Sequence, residues 1–325
     1  MLDLQRLKRI KLSTRPKGQV VVANLGLWLD YRLPKRSTIV IEGKERLPPG
    51  GGAFLAMNHT DRYNYWPLQY AMYRAGLPFT ATWVKGKYYE NDFVGRFMDS
   101  TNNIPTPSRG YVITTEFRKA VGRPPEEEEY RLLRDLVDGK RAPSEPLPEG
   151  SSSGLAGFIG QDATPFLEGF NQLFDQMIRE VIELNRRAIE ELHLDVLVFP
   201  QGTRSKRLPR GHNGLAQMTQ YLGAPIIPIG CNGSDRLYPA NSPFSKGGRV
   251  VYRVGEPLSV DGPELSPYRV PKDVLPLTDE ANKKYGERYG AITKVIMDRI
   301  NDLLDPEYQY AEGLEGGTQG MNRFV

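Results

Sequence analysis

The stretch that most constrains this chain is residues 58–67, Asn-His-Thr-Asp-Arg-Tyr-Asn-Tyr-Trp-Pro. An apolar run at 53–57 precedes it and reads as a buried strand reaching its end. Residues 68–74 follow with helical character. Strand-to-helix junctions are where α/β folds place their chemistry, because a helix start offers unpaired N–H groups and the positive end of a dipole. The chain has three histidines, and His59 stands at this junction within a polar cluster. Taken alone, His59 reads equally well as a turn histidine satisfied by hydrogen bonds.

A second junction shifts that balance. Residues 194–199, Leu-Asp-Val-Leu-Val-Phe, run into Pro-Gln-Gly-Thr-Arg-Ser at 200–205, another apolar strand ending in a glycine turn that carries a cation. Ala-Pro-Ile-Ile-Pro at 224–228 opens a further strand. In this order and spacing the fragments resemble the glycerolipid acyltransferase family, the lysophosphatidate and glycerol-3-phosphate acyltransferases. That family carries Asn-His-x-Ser-x-x-Asp in its first block and Phe-Pro-Glu-Gly-Thr-Arg-Ser in its third. The resemblance covers about residues 37–260.

The resemblance implies an α/β fold with a central, mostly parallel sheet flanked by helices. It implies an O-acyltransferase of phospholipid biosynthesis, acting by direct transfer without a metal or resident cofactor. Acyl-CoA or acyl-carrier protein is the implied acyl donor, and 1-acylglycerol-3-phosphate the first acceptor to consider. His59 takes the role of general base. Arg204, on the turn with Gln201, Gly202 and Thr203, takes the acceptor phosphate, and Arg109 is the nearest counterpart of the arginine in the family's second block. Imidazole suits the base because it titrates near pH ~6.5. Guanidinium suits phosphate because its fork binds in a bidentate manner.

Two motif acids are missing. Asn64 stands where the family has the aspartate that orients the histidine, and Gln201 stands where it has glutamate. In a serine protease the same acid-to-amide change costs roughly 10⁴ in turnover. The favoured expectation is that Asp61 supplies the carboxylate to His59. Otherwise Asn64 serves a slower reaction, or the chain binds lipid and acyl donor without transfer. An acceptor lacking phosphate is a further alternative.

Charge is unevenly placed. The net formal charge is +4, yet residues 1–36 hold nine Lys and Arg against two Asp and Glu. Such an arm favours anionic surfaces. Val21, Leu25, Trp28 and Leu29 share one helical face near Arg32, Lys35 and Arg36. That face reads either as packed on the core or as lying in a membrane interface. With the resemblance, the expectation is a peripheral membrane protein on the inner, cytoplasmic face. No run approaches the ~18–20 apolar residues of a span, and the start lacks the apolar core of a secretory signal. The single cysteine, Cys231, excludes an intrachain disulfide and is compatible with a reducing compartment. Lys206, Arg207, Arg210 and His212 extend the positive loop, but no aromatic stacking platform lies nearby, so nucleic acid is not expected. Nothing specifies the oligomeric state.

The expected division is a basic amphipathic region at 1–36, the transferase domain at 37–305 and a flexible glycine-rich tail at 306–325. The domain carries an insertion at about 110–163 that the family's ordinary layout lacks. Within the insertion, the acidic run 126–129 reads as a solvated face and 142–160 as a flexible loop over the acyl chain. The following residues recur at helical spacing from Phe166 to Leu192, with Thr164 as the cap and His193 near the end.

Overall fold

A computed structural model describes residues 1–310, the side chain of residue 241 excepted. The tail expected at 306–325 lies outside the described residues from 311 onward. The chain forms two compact units, one built from Met1–Ile10, Val84–Met98 and Pro105–Glu183, the other from Lys11–Trp83, Asp99–Ile104 and the chain from Leu184 onward.

The second unit is organised by a sheet of β1 (Ser37–Glu42), β2 (Phe54–Met57), β3 (Thr80–Lys85), β4 (Asn103–Thr106), β5 (Asp195–Val198), β6 (Ile226–Asn232) and β7 (Gly248–Val254). Its order is β1-β7-β6-β2-β5-β3-β4. β1 with β7, β6 with β2, β2 with β5 and β5 with β3 pair in parallel, while β6 and β7 run antiparallel. The α/β architecture with a mostly parallel sheet is therefore present. β2, β5 and β6 are buried throughout, which explains why they read as continuous apolar runs rather than alternating ones. Leu55, Met57, Leu197, Ile227 and Ile229 form the core with Leu68 and Met72 of the helix Tyr65–Arg74.

The central place of β2 follows from this burial. β2 lies between β6 and β5, with Ala56 opposite Val198 and Met57 opposite Ile229. Parallel neighbours end on the same side. The turns that follow β2 and β5 therefore emerge beside each other.

Residues 17–30 form one helical rod made of Lys17–Val21, a π-wound turn Val22–Leu27 and Trp28–Asp30. Ala23, Leu27 and the following Tyr31 face inward. Val21, Leu25, Trp28, Leu29 and Leu33 are exposed, so the face defined by the first four is not packed on the core. No described helix is long and apolar enough to cross a membrane.

In the other unit, Glu126, Glu127 and Glu128 are exposed as expected of a solvated face, but Glu129 and the stretch 142–160 differ from expectation. Glu129 is buried, because Arg123 grips it through Nη1 at 2.6 Å and Nη2 at 2.7 Å while it accepts from Glu126 N. That guanidinium holds the Glu129 carboxyl down at about 2. The acidic run thus closes a capping box at the start of Glu127–Val137, where negative charge meets the helix dipole. The stretch 142–160 is not one loose loop. Ser153–Ile159 is a helix capped by Ser152, anchored by buried Leu155 and Ile159, with Phe158 edge-on to Phe117 and Phe166. Apolar burial outweighed the glycine and serine content there. The long helix Thr164–Arg186 starts one residue earlier than expected, since Asp162 Oδ1 accepts from Thr164 N and makes the N-terminal bond itself.

Candidate active site

His59 leaves the end of β2 between Asn58 and Thr60, partly exposed. Asn58 fixes its exit: Asn58 Nδ2 donates to Cys231 O at 3.0 Å, and Cys231 N donates to Asn58 Oδ1 at 2.7 Å. This pair staples the end of β2 to β6 where the ladder stops.

The imidazole is held by Asn64 at one edge and by Phe199 on one face. Its Nδ1 lies 3.0 Å from Asn64 Oδ1. The Asn64 amide is oriented by its other end, because Nδ2 donates to Asn58 O at 2.8 Å and a carbonyl can only accept. Oδ1 therefore accepts, Nδ1 carries the hydrogen, and Nε2 is the basic nitrogen. Phe199 stacks on the ring at 4.0 Å between centroids and 18° between planes. Tyr252 on β7 donates to Asn64 O at 2.5 Å.

Asn64 also occupies the N-cap of Tyr65–Arg74 yet makes no side-chain capping bond. A capping asparagine stabilises a helix by about 1 kcal/mol, and that contribution is absent here. Its side chain is turned to the histidine instead.

Asp61 does not orient His59, contrary to the favoured expectation. Its Oδ1 accepts from Tyr63 N at 2.9 Å and its Oδ2 from Thr60 Oγ1 at 3.0 Å. The short side chain closes on its own turn before it can reach the ring. Burial raises its carboxyl above the ordinary range, against the lowering by its hydrogen-bond donors.

Gln201 joins the two motif turns. Its Oε1 accepts from His59 N at 3.1 Å, and its Nε2 donates to His59 O at 3.1 Å and Thr203 O at 2.7 Å. The two residues are 142 positions apart in the chain. Ser205 N also donates to His59 O, at 2.9 Å. The exposed Arg204 is thus carried between two residues tied directly or indirectly to the His59 backbone. Gly202 has φ +66, and a Cβ there would come within 2.9 Å of the His212 ring, so neither its backbone nor its space admits a side chain.

The two amides share one physical property that a carboxylate lacks. Asn64 Nδ2 and Gln201 Nε2 donate to backbone carbonyls, which a carboxylate cannot do. Gln201 is buried and contacts the protein's own backbone, which is a positioning arrangement.

Arg109 belongs to the other unit. Its Nη2 donates to Val137 O at 2.8 Å and Asn171 Oδ1 at 3.0 Å, and the guanidinium faces the rings of Phe170 and Phe174 at 5.6 Å. His59, Asn64, Gln201, Gly202, Thr203 and Arg204 are brought to the two joined turns of the sheet unit. Asn58, Phe199, Tyr252 and His212 complete that arrangement and were missed as participants. Asn58 and Phe199 are the opening residues of the two quoted motifs, so their place in the motif was their available signal. Tyr252 had none, because β7 reaches the site only through the sheet order. Among the described residues, no group of three or more His, Cys, Asp or Glu is spaced to hold a metal ion.

No family model matches the chain, and no curated protein matches it. Among solved structures, the 1-acyl-sn-glycerophosphate (LPA) acyltransferase PlsC from Thermotoga maritima superposes with a TM-score of 0.40 at 15% identity, covering 92% of this chain and 79% of that one. A superposition so remote fixes neither family nor activity.

Proposed function

We propose that this chain is an O-acyltransferase that moves a fatty acyl group from a thioester donor to the hydroxyl of a lysophospholipid-type acceptor. The observation that carries this reading is the His59–Asn64 contact at 3.0 Å, on a turn clamped by Gln201 to the turn bearing Arg204. Asn64 keeps the proton on Nδ1, so Nε2 takes the acceptor hydroxyl's proton as its oxygen attacks the thioester carbonyl. The new C–O bond forms, the C–S bond breaks, and the leaving thiolate receives the proton from Nε2. Arg204 binds the acceptor phosphate, with 1-acylglycerol-3-phosphate as the first candidate and acyl-CoA or acyl-carrier protein as donor. Arg109 has its guanidinium within the helical unit's own bonds, so the phosphate role rests on Arg204.

Thiol release from acyl-CoA in the presence of lysophosphatidate tests the reading. His59→Ala is expected to lower the rate at least about 100-fold, the lower end for a general base. Equal rates for the two proteins would remove the enzyme reading. A lipid- and donor-binding protein without turnover is the second reading. The uncharged Asn64 favours it, since an amide stabilises a forming imidazolium less than a carboxylate does.

The same reading puts the protein at the inner, cytoplasmic face of a membrane. Val21, Leu25, Trp28, Leu29 and Leu33 present apolar surface, and the Arg32 guanidinium lies 4.3 Å above the Trp28 ring. Exposed apolar side chains with flanking cations are the composition of an interfacial helix. Sedimentation with anionic vesicles is expected to carry down the wild type. The double variant Leu25→Glu with Leu29→Glu is expected to reduce the bound fraction at least tenfold. Unchanged binding would count against this face as the contact.

A further inference from the structure

Away from His59, a groove of about 880 Å³ lies between the loop 210–213 and the helix Asp279–Asp302. Gly211 lets the loop press on that helix, since a Cβ there would come within 2.9 Å of Met297. Gly290, on the helical wall, has no heavy atom within 4 Å of where a Cβ would stand. The helix is bare where the groove is open.

The polar lining has a specific character. Asn213 accepts from Thr293 Oγ1 at 3.0 Å and Asn301 from Tyr310 N at 2.8 Å, each through Oδ1. Among the described residues no hydrogen bond takes either Nδ2. Asp298 is met by Lys294 Nζ at 2.6 Å and by the Tyr310 hydroxyl at 3.3 Å, while Asp302 lies 3.8 Å from Arg299. The wall therefore sets amide donors beside carboxylate acceptors. The formal charges of Arg210 and Lys294 offset those of Asp298 and Asp302 along the lining.

This pattern discriminates between ligand classes. A phosphate dianion would find the two cations of the lining already balanced by two carboxylates, with no net positive charge left to hold it. An acyl chain would leave the two amide donors covered and without partners, which is unfavourable. A hydroxyl both donates and accepts, so neighbouring ring hydroxyls match such a wall. We propose that the groove binds a neutral polyhydroxylated group, a sugar or cyclitol. His212, between Gly211 and Asn213, packs its ring on Gly202, so the groove's loop is continuous with the turn beside His59. Resting on the transferase reading, the group is the headgroup of a glycosylated lipid acceptor.

The probes are methyl glucoside, methyl mannoside and myo-inositol, with inorganic phosphate and pantetheine as contrasts, each titrated by saturation-transfer NMR. At least one polyol is expected to bind the wild type saturably. Gly290→Leu fills the groove and suits the helix better than glycine. It is expected to weaken that binding at least tenfold while leaving thiol release with lysophosphatidate unchanged. Asn213→Ala removes one amide donor and is expected to weaken the same binding severalfold. Absence of saturable polyol binding would overturn the proposal, as would equal polyol affinity in all three proteins. Saturation by phosphate or pantetheine that Gly290→Leu abolishes would overturn it too. Binding is read without turnover, so a protein inactive in thiol release that still binds the polyol fails the transfer reading alone.

Discussion

Gln201→Glu, which writes the resembled motif's own acid into the chain, is expected to destabilise the protein by about 3 kcal/mol at pH 8 and to cost turnover. The side chain is 2% exposed, so a carboxylate there is desolvated. One oxygen would keep the bond from His59 N. The other would stand where Nε2 now donates to His59 O at 3.1 Å and Thr203 O at 2.7 Å. Two attractions become two repulsions between oxygens. Burial and carbonyl neighbours both favour the protonated acid, which can restore one of the two donated bonds. The folded-state pKa of the new glutamate is therefore raised. Its penalty is small below the unfolded value and grows as pH rises through the folded value. Urea unfolding at pH 5 and pH 8 reads this directly. A variant equally stable relative to wild type at both pH values would show that the amide clamp has no energetic role. Turnover is expected to fall tenfold or more, because a loosened turn misplaces the imidazole.

Asp195→Asn is expected to stabilise the protein at neutral pH. Asp195 is completely buried at the start of β5, at the opposite end of the strands from His59. Its Oδ1 accepts from Ala53 N at 3.1 Å, while its Oδ2 has no partner among the described residues. Burial pushes its carboxyl up to about 7 from an ordinary 3.8, with the Ala53 bond lowering it only in part. The folded state thus keeps a proton that the unfolded chain loses above about pH 4. Stability falls as pH rises from there to about 7. At about 1.4 kcal/mol per unit, the gap amounts to about 4 kcal/mol. Asparagine keeps the Ala53 bond and removes the titration, but buries an unpaired N–H group at about 1–2 kcal/mol. The expected net gain is about 2 kcal/mol at pH 8, with a loss of similar size at pH 4. Denaturant midpoints across pH 4–8 test it. A difference between the two proteins that does not change with pH would show that Asp195 does not titrate in that window.

The two carboxamides and this buried acid mark the limit of what local patterns reveal. The strands β2, β5 and β6 and the turn carrying His59 were all legible, because each is specified by a short apolar run and a breaker. The helix Ser153–Ile159 was not, since its glycines argue against it and only the burial of Leu155 and Ile159 outweighs them. The partner of His59 was misjudged for a related reason. Charge favoured Asp61, but reach decided: Asp61 folds onto Tyr63 N, whereas Asn64 is returned toward the ring by the first turn of its helix.

By itself the sequence determined an α/β chain, a histidine at the end of one strand, an arginine turn at the end of another and a basic arm. These depend on periodicity and residue type over about ten neighbours. Only the tertiary structure decided that the two turns share one amide clamp, that the histidine's partner is uncharged and that Asp195 is enclosed. Those contacts depend on β2 lying between β5 and β6, an order set by burying all three strands together. No stretch of the chain specifies that order alone.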